Sequence, residues 1–501
     1  MLKMISQNLK EREAILALLI ISTSLFVLQH AITLPWDFNA YVLNARFWFA
    51  EGSYFEPFRP PLMPFLIGVL SIFGWNAAEF LFIILASALF AYSSVRLARA
   101  LKLNPAAFYA LSLNSYVLAF GLLHGTEILS LIFLELFISS ILEGSAVSGV
   151  FAGLCALSRY TGLALFPLMI FHLDFKKALK SFLLFLLVLS PWLAYNRLKF
   201  GNMFTSIADQ YALNILNREY FTQNFKIEHF LTAFNILIPL ILLGIFAVLS
   251  RLSKEPKKSV RKFLRMFRAE IIMFVILAYG IASYAGTPQK DIRYLFNMTL
   301  PVAYFSYLGL ELILSNMRKI LILSVVIFAV SALLFISYLA GNGRETPEVY
   351  NSAIKKLGEL NLSNCSVMSN GWVPLNYLGA FSKPLPPYAL LGKRIEEGEI
   401  IIFFKRPDWF EYAYNESFFL SFPVLYDSPH YIILGSGTCL KPQKFEETYL
   451  QQLDKKTFEL YGYRQNQNPC FVLFHNLPIL EKSCNLINLR GFRQDEYRSY
   501  G

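Results

Sequence analysis

Charge is what this sequence has least of. Only 16% of its 501 residues are charged, against roughly 25% in an ordinary soluble chain, so a solvent-exposed globular enzyme of this length is excluded. Cysteine is scarce as well, at five residues, and no His/Cys/Asp group has the spacing of a metal site. No internal repeat and no low-complexity tract is present, which removes repeat arrays and disordered scaffolds from consideration. Acidic residues are outnumbered, and the formal net charge is +11. A nucleic-acid partner does not follow from that excess, because the basic residues cluster at the ends of apolar runs, as the positive-inside rule describes.

Apolar residues are what the chain has in quantity. It is 55% hydrophobic, with 47 Phe and 27 Tyr, and its mean hydropathy is +0.46. Apolar runs of about twenty residues recur, which is the length that crosses a bilayer as a helix. The expected fold class is mainly α: a polytopic membrane protein of about eleven transmembrane helices. The spans begin near Ala14, Ala77, Pro105, Glu127, Ala146, Tyr160, Lys180, Phe230, Glu270, Tyr294 and Ile320. The first apolar run is too long for a signal-peptide core and no small-residue cleavage site follows it, so it reads as the first membrane helix. The run from Pro60 to Gly74 is short and carries three prolines near its start, and reads as a juxtamembrane or re-entrant helix.

Basic residues orient this arrangement. With the N-terminus cytoplasmic and Pro60–Gly74 not crossing, the clusters at Arg96–Lys102, Lys176–Lys180, Arg251–Arg268 and Arg318–Lys319 all fall inside. Counting Pro60–Gly74 as a span would put them all outside. The basic run from Arg251 to Arg268 then reads as a topology determinant facing anionic lipid. The same orientation brings Asp37, Arg59, His124, Glu127, Arg159, Arg293 and Tyr294 to the outer face of what we expect to be a plasma membrane.

After about Gly341 the apolar runs give way to mixed polar sequence with turns at Ser369-Asn370-Gly371 and Lys383-Pro384. The expected division is residues 1–340 as a transmembrane domain, with 35–76 as its first external loop, and 341–501 as an external soluble α/β domain. A helix is expected over Ile354–Leu360, with strands at Cys365–Met368, Glu399–Phe404, Tyr431–Leu434 and Cys470–Phe474. Cys365, Cys439, Cys470 and Cys484 lie in this region. Four cysteines permit two disulfides in three pairings, or remain as thiols. Cys155, inside a span, reads as a packing residue.

The chemistry centres on Trp36–Pro64, which is too polar to cross a bilayer and unusually aromatic. A carboxylate there can take a proton from an acceptor hydroxyl, and an arginine fork suits a phosphate and the charge that builds on it as it leaves. Together they fit group transfer from a lipid-linked phosphate donor. An ordered set of short pieces carries a resemblance over about residues 14 to 310. They are Asp37-Phe38-Asn39-Ala40-Tyr41 with Ala45, Arg59-Pro60-Pro61-Leu62, Gly125-Thr126-Glu127, Leu157-Ser158-Arg159, and the late signatures Pro191-Trp192 with Asn196 and Gly201 and Arg293-Tyr294 with Pro301. This ordered set resembles the integral-membrane C-type glycosyltransferases that use polyprenyl-phosphate sugars, such as protein O-mannosyltransferases and the aminoarabinose transferases of lipid A.

The resemblance implies a membrane glycosyltransferase that moves a sugar from a polyprenyl or dolichyl phosphate to an acceptor hydroxyl on a protein, glycan or lipid, with inversion. It implies Asp37 as the catalytic base and Arg59 and Arg293 as contacts of the donor phosphate. Tyr41, Arg46, His124, Glu127, Arg159 and Tyr294 are further candidates for lining the site. No cofactor is implied. Phe38 stands where the O-mannosyltransferases carry a second acid, which weakens the case for a divalent metal. Arg59 stands where the aminoarabinose transferases carry lysine, and Glu56 lies three residues before it rather than adjacent. Plainer roles stand beside these. Asp37 can cap a helix over Phe38–Ala50. Arg59 and Arg293 can anchor at the interface, Lys290 and Asp291 can form a surface pair, Arg159 can pair structurally with Glu127, and His124 can simply pack. Two other functions share the same charged face: a lipid or polyprenyl-phosphate transporter, and an inactive partner subunit of a glycosylation complex.

Overall fold

The computed structural model describes residues 2–50, 52, 54–214, 223–254, 260–341, 347–365, 367–385, 391–405 and 416–437. The chain divides into two compact units. One, here called the membrane unit, holds the described residues of Met1–Ala31, Pro60–Ile207 and Arg218–Asn342. The other, the sheet unit, holds those of Ile32–Arg59, Ala208–Asn217 and Gly343–Gly501. The segment that carries Asp37 and Arg59 thus belongs to the same unit as the residues after 343.

The membrane unit is helical, and among the described residues six of its helices are long and apolar enough to cross a bilayer: Glu11–Ile32, Trp75–Ala100, Phe175–Phe200, Ile227–Ser253, Arg268–Gly286 and Met317–Ala340. The other expected spans are shorter or broken. Ser148–Ser158 and Tyr160–His172 are short apolar helices, the second of them 3-10 in form. The span expected from Pro105 is interrupted between Pro105–Ser112 and Ser115–Phe120. Asn104 and Asn114 cap the two pieces by accepting from the amides of Ala107 and Val117, which is why the chain restarts at each asparagine. Length follows position. Every residue of Pro105–Ser112 is buried, as are nearly all of Thr126–Leu142 and of Thr299–Ile313. Helices wrapped in protein need not match the hydrocarbon thickness, whereas those facing lipid must.

Close backbone approach joins several of these helices. A β-carbon added at Gly244 would lie 1.9 Å from the carbonyl oxygen of Phe305, and one at Gly309 would lie 2.1 Å from that of Leu240. The helices Ile238–Ser253 and Thr299–Ile313 therefore meet through reciprocal glycines. Lipid gives apolar helices no hydrophobic drive to associate, so such backbone contact supplies much of the attraction. Arg268, expected only as part of a basic loop, hydrogen bonds the carbonyls of Phe171 and Leu142. It thereby serves acceptors at the C-terminal ends of two helices.

In the sheet unit, strands β1 (Val367–Ser369), β2 (Lys383–Pro384), β3 (Ile400–Phe404), β4 (Val424–Asp427) and β5 (Tyr431–Leu434) form one sheet in the order β2-β1-β3-β5-β4. β1 is parallel to β2 and β3, and β5 is antiparallel to β3 and β4. The all-apolar strands β3 and β5 are buried along their whole length, as central strands covered on both faces should be. The expected strands at Glu399–Phe404 and Tyr431–Leu434 are present. The first expected strand is shifted to Val367–Ser369, and the helix extends over Pro347–Glu359. Lys383-Pro384, expected as a turn, is a two-residue edge strand, a position where a proline's missing N–H costs nothing. The expected strand Cys470–Phe474 lies outside the described residues. Cys365 is disulfide-bonded, while Cys439, Cys470 and Cys484 lie outside the described residues.

Candidate active site

Helix Trp36–Phe49 opens at Pro35, which offers no side-chain cap. Asp37 lies one residue inside the first turn, where a negative charge is favoured by the helix dipole, so it is not the capping residue. Its carboxylate instead accepts from Arg59 Nη1 at 2.9 Å. Arg59 is only 8% exposed, and its Nε is bonded to Glu56. Two carboxylates therefore face one guanidinium. The ring of Tyr41 lies 5.0 Å from the guanidinium carbon and that of Phe58 5.5 Å, within cation–π range. Burial alone pulls the Arg59 pKa down, but Glu56 and Asp37, with Tyr41 and Tyr54, more than offset it and raise it well above its ordinary value.

Glu56 is itself fixed. Its amide donates to Asn44 Oδ1 at 2.8 Å, and its carbonyl accepts from Asn44 Nδ2 at 2.9 Å. Tyr54 donates to its carboxylate, and Trp372 Nε1 reaches Tyr54 Oη at 3.2 Å. Asn44, Tyr54 and Glu56 are all at least 97% buried. Helix Trp372–Tyr377 packs on helix Trp36–Phe49 within the same unit, with Trp36 and Trp372 edge to face at 4.5 Å. Arg46 points into that contact. It donates to the carbonyl of Tyr377 at 3.0 Å and lies over the Tyr377 ring. Of the expected residues in this unit, the structure brings together Asp37, Arg59 and Tyr41, and it directs Arg46 toward Tyr377.

The remaining motif residues lie in the membrane unit. Glu127, in the first turn of helix Thr126–Leu142, pairs with Arg159, and the Thr126 hydroxyl donates to its other oxygen at 3.2 Å. Arg159 ends helix Ser148–Ser158, as the motif led us to expect. Tyr160, next in sequence, accepts a hydrogen bond from Trp192 Nε1 at 2.9 Å, which joins two motif pieces. Asn196 Oδ1 accepts from the amide and hydroxyl of Ser206 at 3.1 and 2.6 Å, while Gly201, at φ 76°, ends helix Phe175–Phe200 in the left-handed region. Arg293 pairs with Asp291 at 3.1 Å, and its guanidinium carbon lies 5.6 Å from the centre of the Tyr294 ring. His124 stacks on Phe120.

The expected Lys290–Asp291 surface pair is absent among the described residues. Asp291 caps the helix Ile292–Met298 and holds Arg293. Lys290 turns back to the carbonyls of Tyr284, Ala285 and Thr287. Sequence reasoning also missed Tyr116. Its hydroxyl donates to the carbonyl of Ile292 at 2.7 Å, and it lies within electrostatic reach of Asp291, Glu127, Arg159 and Arg293. Tyr116 and Ile292 are 176 residues apart, so no local signal pointed to it. Glu56 was visible, three residues before Arg59, but its part in the site depends on the turn between them. Among the described residues, no three His, Cys, Asp or Glu side chains gather so as to hold a metal ion. The cation between Asp37 and Glu56 is the Arg59 guanidinium.

No family model matches the sequence, and no curated protein matches it. Solved structures do. The crystal structure of ArnT from Cupriavidus metallidurans bound to undecaprenyl phosphate matches with a TM-score of 0.58 at 12% identity, over 85% of this chain and 99% of that one. The same protein in the apo state matches with a TM-score of 0.54 at 11% identity, over the same shares. At this identity the likeness is one of fold. This chain shares that protein's fold, and is a polytopic, mainly helical membrane protein as expected.

Proposed function

We propose that the protein is a membrane glycosyltransferase that takes a sugar from a polyprenyl phosphate and delivers it to an acceptor hydroxyl at the outer face of the plasma membrane. The observation that carries this reading is the buried Arg59 side chain, held 2.9 Å from the carboxylate of Asp37, whose side chain is 21% exposed, in a fold it shares with a protein bound to undecaprenyl phosphate. A carboxylate next to a phosphate-binding cation is what transfer from a lipid phosphate needs.

In the proposed reaction the acceptor oxygen attacks the anomeric carbon in line and gives its proton to Asp37. The bond from that carbon to the phosphate oxygen breaks, and its electron pair leaves on the phosphate. Inversion follows from a single displacement. Arg59 meets the charge that grows on the leaving phosphate, and preorganisation of that charge supplies much of the rate gain. Arg293 takes a phosphate-contacting role on the strength of its motif and its partly exposed side chain, which is 22% accessible. Glu127 and Arg159, paired with each other, support the backbone around their motif. The sheet unit contributes to acceptor recognition.

The test is a transfer assay with purified protein in detergent, radiolabelled polyprenyl-phosphate mannose or glucose, and cell-membrane extract as acceptor. Label should move to a new product with the wild type and stay on the donor with Asp37→Asn. A donor that binds but never gives up its label, whichever sugar is tried, would turn the reading toward a transporter or an inactive partner subunit.

A further inference from the structure

The sheet unit holds an unbroken line of polar contacts that ends on the proposed base. It starts at Trp372 Nε1, which is 3.2 Å from Tyr54 Oη. It continues from Tyr54 to one oxygen of Glu56 and from the other oxygen of Glu56 to Arg59 Nε. It closes from Arg59 Nη1 to Asp37 at 2.9 Å. The direction of every link is set by chemistry. An indole nitrogen only donates and an ionised carboxylate only accepts. Tyr54 must therefore accept from Trp372 and donate to Glu56, and Glu56 must accept from both Tyr54 and Arg59.

We propose that Glu56 is a positioning residue that sets how strongly Arg59 acts on Asp37 and on the donor phosphate, and that Trp372, through Tyr54, brings the C-terminal part of the chain into that control. The inference rests on the function proposed above. Asn44 holds the Glu56 backbone from both sides and Tyr54 holds its carboxylate, which resists any move of Glu56 after Arg59 toward a third anion. Glu56 shares the guanidinium's charge with Asp37. This weakens the pull of Arg59 on Asp37, leaving Asp37 a stronger base than in a lone pair with arginine. It also weakens the attraction of Arg59 for phosphate. Base strength is thereby set against donor affinity.

Glu56, Asp37, Tyr41 and Tyr54 surround Arg59, and helix Trp372–Tyr377, packed on the helix of Asp37, adds Tyr377 and no charge. Removing the charge of Glu56 leaves Asp37 facing an undivided cation, which favours its ionised form. The acid limb of the rate profile should therefore move to lower pH.

The experiment uses the full-length protein in detergent, with labelled polyprenyl-phosphate sugar as the probe. For Glu56→Gln, the acid limb of kcat/KM should move down by about half to one pH unit, and the donor KM should fall about threefold to tenfold. Tyr54→Phe should lower kcat/KM several-fold in the wild-type background and by less than about twofold in the Glu56→Gln background, because the two act through one chain. A purely structural brace would leave the acid limb in place and give the same loss in both backgrounds. Either result overturns the inference, as does a Glu56→Gln protein with the wild-type donor KM. If Glu56→Gln does not fold, Trp372→Phe and Tyr54→Phe are compared singly and together. A double loss no larger than the greater single loss supports the chain, and a double loss equal to the product of the two overturns it. A wild type that transfers no label from any donor overturns the proposed function itself, and this inference with it.

Discussion

Two arginines in this molecule meet carboxylates in different ways. In the membrane unit Arg159 pairs with Glu127, with side chains 16% and 4% exposed. In the sheet unit Arg59 meets two carboxylates, Asp37 and Glu56, with aromatic faces from Tyr41 and Phe58 beside it. The Arg159–Glu127 pair is buried, and taking the carboxylate from a cation in such a low-dielectric setting is costly. The one-to-two group is open to exchange, because the guanidinium can give up one acceptor for an incoming anion and stay compensated by the other. Pairs of the first kind hold structure together, whereas a group of the second kind can bind a phosphate.

That contrast can be broken in four places. The largest effect is expected at Asp37. Asp37→Asn should lower the transfer rate about a thousandfold with donor binding kept, as read by single-turnover transfer and equilibrium donor binding side by side. A variant with full activity would remove Asp37 from the chemistry. Next, Glu127→Ala should cost about 3 kcal/mol of stability by taking from Arg159 the buried carboxylate it pairs with, seen as a lower unfolding midpoint in detergent. An unshifted midpoint would make this pair as open as the other. Third, Arg59→Lys keeps the charge but loses the planar fork. Its donor KM should rise about tenfold with the unfolding midpoint near that of the wild type. The smallest effect is expected at Lys290. Lys290→Met should cost about 1–2 kcal/mol by freeing the carbonyls at the end of helix Arg268–Gly286, and hydrogen exchange at the amides of 284–290 should quicken.

Much of the scaffold was legible from composition and apolar periodicity. The six long helices sit where runs of apolar residues begin, because crossing a bilayer demands length and little else. The interior helices were harder to read. Asn104 and Asn114 each stop and restart a helix, and only packing on all sides lets so short a piece persist. β3 and β5 were visible as apolar runs, whereas β2 was not, since two residues that include Pro384 become a strand only by lying on the edge beside β1. At the site, the order of the motifs pointed to Asp37 and Arg59. It did not point to Asn44, Tyr54 or Trp372, whose part comes from folding 372–377 onto 36–49. Arg46 shared a helix with Asp37, but its partner, Tyr377, lay 331 residues away.

The reciprocal glycines at 244 and 309 also have a genetic consequence. Every other amino acid carries a β-carbon, so every missense change at either codon drives a carbon into the opposing carbonyl. Two residues to either side, Leu242 and Phe246 are more than 60% exposed, and their codons can drift among apolar residues freely. Saturation mutagenesis scored by membrane accumulation should therefore find near-total intolerance at both glycines, isolated among tolerant positions at 244 and set among buried neighbours at 309.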